Sequence, residues 1–79
     1  MTKLPAISGT KLIRKLLKAG FQEAPIKGKG SHRALVRIDK EGKPHLVIIP
    51  LHNPIAKGTL LAIIQQSGLT KEEFILLLK

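Results

Sequence analysis

A chain of 79 residues carrying a formal charge of +9 is long enough for one compact domain, residues 1–79, and too short for two, because the fraction of surface that folding buries shrinks as chains get shorter. Hydrophobic residues make up 43% and aromatics 3%, with Phe21 and Phe74 alone, so the core must be aliphatic and there is no room for a cofactor-binding fold. The absence of cysteine removes disulfides, thiolate nucleophiles and sulfur-ligated zinc, and no apolar run approaches the roughly 18 to 20 residues of a membrane span. Residues 1–5 lead into no signal-peptide core, which makes a cytoplasmic protein without cofactor or metal the expectation.

The charge is unevenly placed. Residues 1–57 hold 12 Lys or Arg against 3 acids, whereas residues 58–79 hold 2 against 2. A basic field confined to two thirds of a small chain is what a phosphate-binding surface requires, and it would equally suit an acidic protein partner.

In chain order, Ser8 can cap a helix over residues 9–19, with Leu12, Ile13, Leu16 and Leu17 as its apolar stripe and Gly20 as a left-handed stop followed by the apolar Phe21. Lys11, Arg14, Lys15 and Lys18 occupy the rest of that helix without an acidic neighbour on it, which favours phosphate binding over an ordinary solvated face. Pro25, Gly28 and Gly30 exclude a helix, and Ala24 with Ile26 permits a short edge strand ending in a turn over residues 27–30. Residues 32–38 alternate as a strand, with His32, Ala34, Val36 and Ile38 on an apolar face that should meet the helices and Arg33, Leu35 and Arg37 on a mostly basic one. A polar hairpin over 39–43 leads to a strand over 45–49, closed by Pro50. A loop carries His52, Asn53 and Pro54, a second helix spans about 58–66 and stops at Gly68, and Thr70 with Glu73 forms a capping box for a third.

This order predicts an α+β sandwich of the double-stranded-RNA-binding kind, α-β-β-β-α, with an extra C-terminal helix. Leu60 to Ile64 and Phe74 to Leu78 are each five consecutive apolar residues, more than one helical face needs. Either the two C-terminal helices pack on one another, or they offer a surface for homodimerisation or for a protein partner.

Chemistry is most concentrated around His32. Lys27, Lys29 and Arg33 lie within six residues of it, and the turn glycines let the backbone approach a phosphate. RNA can be cut when a base takes the proton of a 2′-hydroxyl and an acid protonates the leaving 5′-oxygen, and imidazole suits either task because it changes charge between pH 5 and 8. One imidazole does not readily serve as both in one step. His52 is the candidate second group, although a loop or capping role suits it as well; His45 reads as an ordinary strand residue. Ser31 can donate a hydrogen bond to the turn or a phosphate, and no acid lies near enough in sequence to make it a triad nucleophile. Gly28-Lys29-Gly30 lacks the ending and following helix of a nucleotide-binding P-loop.

Five short segments in this order, Ile7-Ser8-Gly9, Ala19-Gly20-Phe21, Gly30-Ser31-His32-Arg33, Val47-Ile48-Ile49-Pro50-Leu51-His52 and Lys57-Gly58-Thr59-Leu60, resemble the HicA toxin family, also described as YcfA-like. The resemblance implies a double-stranded-RNA-binding-like fold, metal-independent cleavage of mRNA, a catalytic histidine at the position of His32, and inhibition by a HicB-type antitoxin. Two departures stand out. Leu61 to Ile64 are apolar where the family's second helix often carries basic residues, and Leu35 stands where relatives are often aromatic, so base stacking on the open sheet face is not supported. The alternative is a non-catalytic RNA-binding module of the same fold. A DNA-binding or purely regulatory role is weaker, because strands rather than a recognition helix follow the basic helix.

Overall fold

A computed structural model of the chain describes residues 4–24, 30 and 32–79. Its elements run α1 (Gly9–Lys18), β1 (Gln22–Glu23), β2 (His32–Ile38), β3 (Pro44–Pro50), α2 (Lys57–Ser67) and α3 (Lys71–Leu77). This is the expected α-β-β-β-α-α order, with an antiparallel sheet in the strand order β1-β2-β3.

Local chemistry explains where each helix starts and stops. The Ser8 hydroxyl accepts from the Lys11 N–H at the start of α1, satisfying one of the donors that a first helical turn leaves open. At its other end Gly20, at φ 108°, allows the Gly20 N–H to reach the Leu17 carbonyl and the Phe21 N–H to reach that of Leu16. This paired arrangement turns Phe21 back into the core, where it is buried. Gly68, at φ 75°, ends α2, and Thr70 opens α3 with both halves of the capping box in place.

Leu12, Ile13 and Leu16 carry the buried stripe of α1, while Leu17 lies at its rim, 39% exposed. They join one cluster with Leu35 of β2, Val47 and Ile49 of β3, Leu60, Ile63 and Ile64 of α2, and Phe74 of α3. The apolar C-terminal runs thus supply much of the core, and Leu61, Ala62 and Leu76 are the residues of those runs left exposed.

Two expectations need correction. The edge strand is Gln22–Glu23 rather than Ala24 and beyond, although the Ala24 N–H still reaches the Ala34 carbonyl. Residues 25–29 and 31, which hold the rest of that expected strand, most of the turn after it and the candidate residues Lys27, Lys29 and Ser31, lie outside the described residues.

More consequentially, the sheet faces are reversed. Leu35 pairs with Val47 and Arg33 with Ile49, and Leu35, Val47 and Ile49 are fully buried, so the face shared with Arg33 and Arg37 meets the helices. Arg37 is tolerated there because its Nε–H donates to the Ser67 carbonyl at 3.0 Å, holding the charged head beside the end of α2. His32, Val36 and Ile38 belong to the opposite, open face together with Leu46 and Ile48.

The outer edge of β3 is blunted. Pro44 and Pro50 have no N–H, and the outward N–H of Ile48 donates to Gln66 Oε1 at 3.1 Å.

Candidate active site

His32 is the first residue of β2 and is paired across the sheet with Pro50, the last of β3. Two residues after Pro50 comes His52, and the rings of His32 and His52 lie 6.4 Å apart between centroids, inclined at 64°. Both residues are exposed. The antiparallel register therefore does what the linear sequence leaves open: it brings two histidines, twenty residues apart in the chain, to one end of the sheet. His32 is not buried against the helices, as strand alternation had suggested; it stands on the open face, accessible to a large substrate.

The end of the sheet is braced by the start of α1. The Gly9 N–H donates to the His52 carbonyl at 2.8 Å, and three residues later in the loop the Ile55 N–H donates to the Ile7 carbonyl at 2.9 Å. Ile7 and Ile55 are both buried, which anchors the loop just after the exposed imidazole.

Because α1 begins at this contact, its basic face leads away from the histidines over the length of a ten-residue helix, roughly 15 Å. Lys11, Arg14 and Lys18 are exposed and Lys15 half-buried, and these four side chains alone line a shallow hollow of about 270 Å³. Among the described residues the ion pairs are Arg33 with Glu23 and His45 with Asp39, so the α1 cations have no acidic partner there. Arg33, by contrast, is already engaged by Glu23 across the β1–β2 pair.

The third histidine is structural. His45 Nε2 lies 2.8 Å from Asp39 Oδ2, at the hairpin end of the sheet and remote in register from His32. Asp39 Oδ1 accepts from the Glu41 and Lys43 backbone N–H groups, closing the hairpin. The His45 hydrogen bond, then that from Lys43, hold the Asp39 carboxyl at about 2, below its ordinary value. Among the described residues no three His, Cys, Asp or Glu side chains converge in a group that could hold a metal ion, and no helix is long and apolar enough to cross a membrane.

Sequence reasoning singled out His32 and His52 separately and missed what connects them, the register that sets His32 opposite Pro50 and the contact of Gly9 with the end of β3. A signal was present in the glycine at the first position of α1, since apart from proline every other residue has a higher helix propensity.

Fold and site together define a class: a small, basic α+β domain with helices on one face of a three-stranded sheet and a pair of exposed histidines at its edge. Residues 9–69 match the family model for the HicA toxin of bacterial toxin–antitoxin systems, and the chain belongs to that family. No curated protein matches the sequence. Membership makes the chain the toxin of a toxin–antitoxin pair and implies an antitoxin as its partner.

Proposed function

We propose that this toxin is an endoribonuclease that cleaves mRNA without a metal, with His32 and His52 as its acid and base. The observation that carries the reading is the ring pair, 6.4 Å between centroids and open to solvent. With each imidazole reaching about 3 Å to a hydrogen-bonded oxygen, both can address one phosphodiester.

In the step this arrangement supports, the neutral imidazole removes the proton from a ribose 2′-hydroxyl. The 2′-oxygen forms a bond to phosphorus as the bond to the 5′-oxygen breaks, and the protonated imidazole supplies the proton that the leaving oxygen takes. The products are a 2′,3′-cyclic phosphate and a 5′-hydroxyl, and the two imidazoles have exchanged protonation states. Lys11, Arg14, Lys15 and Lys18 hold the neighbouring phosphates, and a HicB-type antitoxin silences the toxin by covering the histidines. Lys27, Lys29, Ser31 and Arg33 surround His32 in sequence and are assigned to the scissile phosphate. Of these, Arg33 must exchange its Glu23 partner for a phosphate to take part.

The test is cleavage of a single-stranded transcript in EDTA by wild type and His32→Ala, after circular dichroism confirms that both fold. Loss of a general acid or base lowers the rate by about 100-fold to 10,000-fold. Equal cleavage by both proteins places the chemistry elsewhere. The unpartnered cations of α1 favour a second reading, an RNA-binding module without catalysis, which equal binding and no cleavage by either protein would establish.

A further inference from the structure

We propose that Gly9 is a positioning residue for the histidine pair, the one point at which α1 fixes where His52 stands relative to His32; this rests on the two-histidine reading above. Gly9 is buried at the first position of α1. A Cβ built there would overlap the Pro50 carbonyl oxygen and stand 2.9 Å from Leu51 Cα. Real Cβ atoms do not approach so closely, and the obstacles are backbone, which cannot swing aside as a side chain can. Only glycine lets the helix come this near the end of β3.

That approach governs both histidines. Pro50 is the register partner of His32, and Leu51 leads directly into His52. The Gly9 N–H, brought within reach by the same approach, holds the His52 carbonyl at 2.8 Å. Forcing α1 away would displace the His52 backbone while leaving His32 in the β2–β3 ladder, so the two rings would part. A glycine that merely fills a tight spot in the core would change stability and leave the pair alone when the protein is folded.

Three versions of the full chain separate these cases. Gly9→Ala adds the obstructing methyl. A chemically synthesised chain with glycolate at position 9 replaces the N–H by oxygen, deleting the bond to His52 without adding bulk. Ser8→Ala serves as the control, removing the hydroxyl that accepts from Lys11 N–H at the same helix start without touching the His52 contact.

In Gly9→Ala, kcat on RNA falls by about 100-fold, the scale of an ångström-sized misplacement of a reacting group, with KM nearly unchanged. The glycolate chain loses up to about tenfold, as expected for one hydrogen bond, and Ser8→Ala retains its kcat. Ring-to-ring Overhauser contact between His32 and His52 is present in wild type and in Ser8→Ala and is lost or weakened in the other two. If the folded Gly9→Ala and glycolate proteins keep both kcat and that contact, the proposal is wrong. Should Gly9→Ala fail to fold, the glycolate chain decides alone. Should wild type not cleave RNA at all, the catalytic reading fails, and the ring contact still decides whether Gly9 holds His52 in place.

Discussion

His32 and His52 differ in how they are held, and the difference predicts how each should respond to change. His32 is fixed by its place in the β2–β3 ladder, whereas His52 depends on a loop tied down at Gly9 and Ile55. A base must be neutral and an acid protonated, so a reaction using both has a rate that falls at low pH as the base gains its proton and at high pH as the acid loses it. His52→Gln keeps a polar side chain but cannot titrate, and should therefore lose one limb of that bell-shaped profile while retaining the other; kcat measured from pH 5 to 9 on the folded variant checks this. If both limbs persist, a different group is the partner of His32. Much of this site was legible from residue types alone: a histidine after a glycine-containing turn, amid cations, points to phosphate chemistry. The facing of the strand was not. Counting apolar residues favours the set His32, Ala34, Val36 and Ile38 over a set with two arginines, but one fully buried Leu35 and an arginine that can extend to the Ser67 carbonyl outweigh the count.

Elements whose ends are written in short-range chemistry matched expectation closely. Helix α1 starts at its Ser8 cap and closes at Gly20, and α3 starts at the Thr70–Glu73 box, because each signal involves residues only three or four positions apart. Strand β1 was misplaced because a two-residue edge strand has no periodicity to read; its position is set by pairing with Val36 and Leu35, which is tertiary information. The caps carry measurable weight. Thr70→Ala should cost about 1 kcal/mol in urea or thermal unfolding, and less where fraying of α3 is already extensive. The Thr70 backbone and side-chain hydrogen bonds lower the Glu73 carboxyl below its ordinary value, so the contribution of that group is present at neutral pH and declines in acid. Asp39 should show the same sign more clearly. With its folded value at about 2 against an ordinary 3.8, the stabilisation it provides is complete above the unfolded value and is lost as pH falls through the folded one. Unfolding of Asp39→Asn followed between pH 5 and 2 should therefore show a shallower acid decline than wild type, and an unchanged slope would mean that the hairpin carboxylate does not couple to folding.

At the scale of the whole molecule, the fold sorts the chain's chemistry by surface. Helices and the inner sheet face enclose an aliphatic core, the open sheet face carries exposed Leu46, Ile48 and Ile38, and α1 carries a cluster of four cations with no acidic partner among the described residues. Composition alone located the charge in the first two thirds of the sequence, but which cations remain available depends on pairing, and this separates α1 from Arg33. Binding of a single-stranded RNA releases counterions from each neutralised phosphate, lowering the slope of log K against log salt by about 0.7 per contact. Replacing Lys11, Arg14, Lys15 and Lys18 together by glutamine, on exposed or half-exposed positions that the core does not use, should thus reduce the magnitude of that slope by up to about 3 if all four reach phosphates. Arg33→Gln should change it less, since the wild-type arginine must first leave Glu23. Binding is best measured on the His32→Ala protein, so that cleavage does not deplete the ligand. A slope unaffected by the fourfold change would remove α1 from the RNA path, whereas a reduced slope with intact folding would establish that the polyanion lies along the helix that begins beside His52.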